Sequence, residues 1–207
     1  MATTTPNYGW DVPTSTDYVA QGAVAIETLG DDIDASLFSI TGGKNVGLVP
    51  ISITSFSGVS SVAVDNVFTS TFKNYRIVVN ATNGVSTPSR AYIRIINNAG
   101  SVVSAGGSYR SGFNWWRNTT SASGTEASAA STLMSIAVAN SYTYGLTIEA
   151  TDPRASDPVF SGLYAGFDYS SVFNGFCLSS GPARGFQLFN DTGTMQGEIR
   201  VYGYRNS

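Results

Sequence analysis

The spacing of apolar residues changes character near residue 40. Val19, Ala23, Ile26, Gly30, Ile33 and Leu37 follow one another in steps of four and three, the a/d spacing of a coiled coil held for nearly three heptads. The remaining face carries Gln21, Glu27, Thr28, Asp31, Asp32 and Asp34. Thr14 with Asp17 three residues on fits a shortened capping box, which predicts a helix over 14–38. So short a helix is marginal alone in water, and Gly30 weakens its seam. It must either meet partner helices, with a trimeric coiled coil as the expectation, or dock on its own domain as an amphipathic helix. Residues 1–13 show no periodicity and contain two prolines, which predicts an extended N-terminal arm.

Residues 39–48 lose the helical period and supply Gly42-Gly43, a predicted hinge. Beyond it, short apolar runs alternate with Gly, Asn, Asp and Ser. Strands are expected at 49–56, 62–64, 72–81, 91–96, 101–103, 133–138, 144–149, 159–164, 175–178, 185–189 and 198–204. No helix-length segment separates these runs. The fold expected for 49–207 is therefore mainly β, an antiparallel sandwich or jelly-roll-like head, and not a parallel α/β sheet.

Composition sharpens this picture. Charged residues are 12% of the 207, about half the ~25% usual in soluble domains, and Lys+Arg 11 against Asp+Glu 14 leaves a net charge of −3. That balance, with no basic stripe, argues against a nucleic-acid partner. No apolar run approaches the ~20 residues of a membrane span, and no signal-peptide pattern is expected. There is no histidine, so Ser-His-Asp hydrolysis and Cys/His zinc sites are excluded. Cys177, the sole cysteine, sits in an apolar run and is expected to be a small buried hydrophobe.

The most unusual stretch runs from Tyr109 to Asn118, with Arg110, Asn114, Trp115, Trp116 and Arg117 inside ten residues. Tyr, Trp and Arg dominate binding hot spots, and flat rings beside amides and guanidinium groups suit a sugar surface. These residues form the candidate binding site; burial in the core or between subunits is the competing role. On a strand, Trp115 and Trp116 would face opposite sides. The β region also holds Asp65, Glu126, Glu149, Asp152, Asp157, Asp168, Asp191 and Glu198. Nothing in their spacing selects a catalytic pair, and the aspartates near turns read as turn formers rather than cation ligands. No catalytic residue, metal or cofactor is expected.

Two stretches resemble known proteins. Tyr8-Gly9-Trp10, Pro13, Thr16-Asp17, Val19, Gly22, Ala25-Ile26, Leu29 and Ile33-Asp34 resemble an N-terminal segment of structural and tail-fibre proteins of tailed bacteriophages. Phe72 to Val79 and Gly197 to Tyr204 are similar to the first and last strands of the β heads such proteins carry. The likeness covers about a quarter of the chain. It implies a non-enzymatic virion protein made in the bacterial host cytoplasm. Such a protein is often a homotrimer, attached to other virion proteins by its N-terminus and displaying a head toward a host glycan or receptor. Tyr8, Trp10, Val19, Ala23, Ile26, Ile33 and Leu37 would serve anchoring and assembly. A capsid decoration or head-fibre protein is the alternative, and a polysaccharide depolymerase a lesser one.

Overall fold

A computed structural model of the chain describes residues 3–14, 18–41, 47–84, 89–139, 143–178 and 181–204. Asp17 of the expected capping box and the Gly42-Gly43 hinge lie outside the described residues. The chain divides into two compact units, residues 1–46 with Ser207, and residues 47–206.

In the first unit the arm is a small hairpin, where an extended segment was expected. Strands β1 (Thr3–Thr4) and β2 (Asp11–Val12) pair antiparallel through Thr3 with Val12 and Thr4 with Asp11. The Gly9 amide donates to the Thr5 carbonyl at 3.0 Å and the Thr5 amide to the Trp10 carbonyl at 2.9 Å. Helix α1 spans Val19–Thr41, later at both ends than the expected 14–38. Its first turn is closed by the Gly22 amide on the Tyr18 carbonyl at 3.0 Å, so Tyr18 is the N-cap. At the other end Ser39, Ile40 and Thr41 add backbone bonds for only a few tenths of a kcal/mol each in propensity, and the helix continues through them.

Among its described residues the second unit carries twelve strands: β3 (Leu48–Val59), β4 (Ser61–Val64), β5 (Asn74–Asn83), β6 (Ser89–Asn97), β7 (Tyr109–Arg117), β8 (Ser123–Ser131), β9 (Met134–Ala139), β10 (Thr143–Thr151), β11 (Val159–Gly166), β12 (Tyr169–Cys177), β13 (Ala183–Asn190) and β14 (Met195–Tyr204). Eight form one sheet in the order β3-β14-β5-β10-β11-β12-β7-β8, and four form another in the order β4-β13-β6-β9. Every pairing is antiparallel. The protein is mainly β, an antiparallel sandwich with one helix among the described residues.

The alternation that marks β5 shows how the core is built. Tyr75, Ile77, Val79 and Ala81 all point inward, as do Tyr144, Leu146, Ile148 and Ala150 on its neighbour β10. Ile93 and Ile95 of β6, Phe186 and Leu188 of β13 and Ile136 of β9 meet them in one apolar cluster. Cys177 is fully buried in it. The head's first and last strands are neighbours, with Leu48 of β3 directly opposite Tyr204 of β14.

Four stretches depart from the expected strands, and one of them, β7 at Tyr109–Arg117, is absent from the expected set altogether. Residues 101–103 contribute only an isolated bridge from Val102 to Ile96. The small polar run at 119–130 contains β8, held by pairing to β7 although it lacks β-branched or large apolar residues other than Thr125. Strand β12 starts at Tyr169, six residues before the run expected at 175–178.

Candidate functional site

Strand β7 sorts the candidate residues by parity. Tyr109, Ser111 and Phe113 face the core, and Arg110, Asn114 and Trp116 face outward. Tyr109 is fully buried. Its hydroxyl donates to the Val103 carbonyl at 2.8 Å and accepts the Ile95 amide at 2.9 Å, and burial pushes the phenol above its ordinary range. It reaches no ligand and leaves the candidate set.

Trp115 and Arg117 share the inward parity near the sheet's end, where they meet β12. The Trp115 ring packs edge-on against Tyr169, centroids 5.8 Å apart at 64°. Gly124 of β8 makes room for it, since a Cβ there would lie 2.9 Å from the indole. The Arg117 guanidinium lies 5.5 Å from the Tyr169 ring centre and donates to both Asp168 oxygens, at 3.1 and 3.2 Å. The buried Asp168 also accepts the Thr119 hydroxyl at 2.5 Å. Asn118 donates its amide to the Gly166 carbonyl at 2.8 Å. Together these contacts clamp the β7–β8 turn to the β11–β12 turn. That is a structural task.

The outward set is a surface. Trp116 is 41% exposed and stands beside Ser170 of β12 and Ser123 of β8. Asn114 accepts the Thr125 hydroxyl at 2.8 Å and neighbours the exposed Val172. Arg110 stands opposite Phe176, and with Gly112, Asn174 and Val159 these two line an open groove of about 520 Å³. The pleated face thus offers a ring, amides and a guanidinium in one plane. Rings cover the apolar face of a sugar while the polar groups reach its hydroxyls.

Of the other carboxylates of the β region, five hold partners away from the outward face, and Asp157 accepts the Ser156 hydroxyl at 3.3 Å. Asp65 pairs with Arg184, Glu126 with Arg90, Glu149 with Arg76 and Glu198 with Arg200. Asp191 accepts the Ser89 hydroxyl at 2.7 Å and the Arg90 amide at 2.9 Å. Asp152 sits at φ +41°, a turn position. Among the described residues, no three His, Cys, Asp or Glu side chains converge on one point.

In the first unit, Tyr8 is exposed and stacks on Trp10 at 5.0 Å, and the Trp10 indole N–H donates to the Ser36 hydroxyl at 3.1 Å. The hairpin therefore covers the helix face that carries Gly22, Ala25, Leu29, Ile33 and Ser36, all half-buried. The other heptad positions lie off that face. Val19 is 94% exposed, Ile26 63% and Leu37 57%, and Ala23 is exposed too. Of the seven anchoring and assembly candidates, Trp10 and Ile33 are half-buried in the hairpin contact and the others are open.

No known protein family matches the chain, and no curated protein matches it. Among solved structures it is similar to the CBM2 module of the evolved Dit of Lactobacillus casei BL23 phage J-1. The two are 10% identical with a TM-score of 0.29, over 71% of this chain and 69% of that one. Among the described residues, no helix is long and apolar enough to cross a membrane.

Proposed function

We propose that the protein is a non-enzymatic virion component of a tailed bacteriophage, a fibre or fibre-like adhesin that assembles as a homotrimer. Residues 1–13 would attach it to other virion proteins, α1 would join three copies, and the β head would meet the host surface. The observation that carries this reading is the open heptad seam. The chain covers one face of α1, Ile33 included, with its own hairpin and leaves the seam positions Val19, Ala23 and Ile26 exposed. Such a stripe on a single helix is unfavourable in water, and coiled-coil partners bury it. The likeness of the Tyr8 to Asp34 segment to phage structural proteins supports the same reading.

Adhesion is assigned to the outward face of β7, along which Arg110, Asn114 and Trp116 all face solvent, with a cell-surface glycan as the ligand class. Light scattering on the full chain tests the assembly step. The expected mass is three times the 21.8 kDa chain, falling to one chain in the double variant Ile26→Asp, Leu37→Asp. A monomeric wild type overturns the trimer. Capture of the chain by intact host cells tests adhesion, and its absence would leave only a structural role.

A further inference from the structure

On the core side of β7, opposite the outward groove, lies a second and smaller pocket of about 210 Å³. It is lined by Arg90 and Tyr92 of β6, Ser111 and Phe113 of β7, Glu126 of β8 and Ser135 of β9. We propose that this pocket binds a single uncharged sugar ring, an inference that rests on the adhesion reading and names a ligand-reading element within it.

Three features of the pocket carry the inference. The first is charge. Arg90 donates through Nη2 to Glu126 Oε1 at 2.9 Å, and its other terminal nitrogen meets Oε2, so the pair is bidentate. Both side chains keep a third or more of their surface open, 42% for Arg90 and 33% for Glu126. The pair is neutral as a unit, so an anionic ligand would face the carboxylate and a cationic one the guanidinium. An uncharged ligand with adjacent hydroxyls meets neither penalty. It can donate one hydroxyl to Glu126 while accepting from Arg90 with the next.

The second feature is the lining. Ser111 accepts the Ser135 amide at 3.2 Å through its hydroxyl oxygen, and that hydroxyl retains a proton to donate. Phe113 and Tyr92 bring aromatic surface to the same space, and Tyr92 is fixed by stacking on Phe189 at 5.4 Å. Burial raises the Tyr92 phenol above its ordinary range, and its hydroxyl donates to Asp191 at 3.5 Å, so Tyr92 offers the pocket its ring rather than a free proton. Ring faces and hydroxyls in one small space are the two surfaces a pyranose presents.

The third feature is size. The pocket is smaller than the ~300–1,000 Å³ typical of drug-sized ligands, which suits one ring and not a chain of them. A longer glycan could leave only its terminal unit here. The pocket and the outward groove share Ser111, Ala127 and Ser128, but Arg90, Tyr92 and Ser135 line the pocket alone and Arg110, Asn174 and Phe176 the groove alone, so the two can be tested apart.

The test is an amide NMR titration of the full chain with glucose, galactose, mannose, rhamnose and glucuronate. The expected result is that at least one neutral sugar shifts the amides of Arg90, Tyr92 and Ser135. Arg90→Gln or Glu126→Gln should weaken that binding at least tenfold with the melting temperature kept. Should either variant fail to fold, Ser135→Ala is the milder substitute, expected to weaken binding a few-fold. Three results overturn the proposal: no neutral sugar moving those amides at roughly 50 mM, well above a 1 mM affinity; glucuronate binding best; or shifts confined to Arg110, Asn114 and Trp116. Host-cell capture by the same protein separates the two readings. Capture without pocket shifts sinks the pocket alone, whereas loss of both sinks the adhesion reading with it.

Discussion

Trp115 and Tyr169 meet edge to face with ring centroids 5.8 Å apart, while the next residue, Trp116, turns its ring to solvent. One tryptophan closes the end of the sandwich and the other is free to touch a ligand. Truncation should separate these roles. Trp115→Ala removes a half-buried ring from the clamp and should cost about 2 kcal/mol, read as a lower urea midpoint. Trp116→Ala should stay within about 0.5 kcal/mol of wild type yet reduce capture by host cells. Equal destabilisation by both would contradict the assignment of faces.

The two glycine environments also make opposite predictions. A Cβ on Gly162 would stand 2.1 Å from the Thr147 carbonyl oxygen and 2.6 Å from the Phe173 ring. Gly162→Ala should therefore cost about 3 kcal/mol, because the backbone of β10 must move. A Cβ on Gly22, inside α1, meets nothing within 4 Å, so Gly22→Ala should stabilise the helix by about 0.5–1 kcal/mol. Circular dichroism melts of the two variants check both signs.

Stability should be flat across neutral pH and fall at both ends. The Arg184 guanidinium holds the Asp65 carboxyl below its ordinary 3.8. Burial opposes ionisation of Asp191, but the Arg90 amide and the Ser89 hydroxyl outweigh it and hold that carboxyl low as well. Both contributions are fully present above pH 3.8 and are lost as pH falls through the lower folded-state values. At the alkaline end, burial raises the phenols of Tyr109, Tyr144 and Tyr164 above their ordinary 10.0. Their contribution is complete below pH 10 and disappears as pH rises toward the folded-state values. With no histidine in the chain, the urea midpoint should be constant between about pH 5 and 9. A drop in the midpoint within that window would show that another group governs the fold.

The hairpin contact offers a check on the N-terminal unit. Trp10→Phe keeps the stack with Tyr8 but removes the indole donor that reaches Ser36. A loss of about 1 kcal/mol is expected, with proteolysis beginning in the arm. Unchanged protection of the arm would mean that the stack alone holds it.

Much of the architecture follows from residues taken in order. Strand β5 is readable because Tyr75, Ile77, Val79 and Ala81 alternate with Arg76, Val78 and Asn80, and β14 because Ile199 and Val201 alternate with Arg200 and Tyr202. Strand β8 is opaque because Ser, Ala and Gly carry no period, and only β7 beside it defines it as a strand. The same limit applies to the sites. Parity along β7 suffices to place Trp115 and Trp116 on opposite faces. No local pattern could pair Arg90 with Glu126, which lie 36 residues apart on strands of different sheets. The hairpin of the arm, with two residue pairs, is likewise too short to announce itself.

The pairing of Leu48 with Tyr204 places the entry and exit of the head side by side, ~5 Å apart for opposed residues of an antiparallel pair. A domain whose ends meet can be lifted out of one chain and set into another without straining either neighbour. The head is thus a cartridge: a different sandwich with the same closely spaced ends could replace it while the helix and hairpin stayed as they are. If the proposed adhesion holds, changing the surface recognised would require exchanging one self-contained block of sequence and leave residues 1–46 as they are.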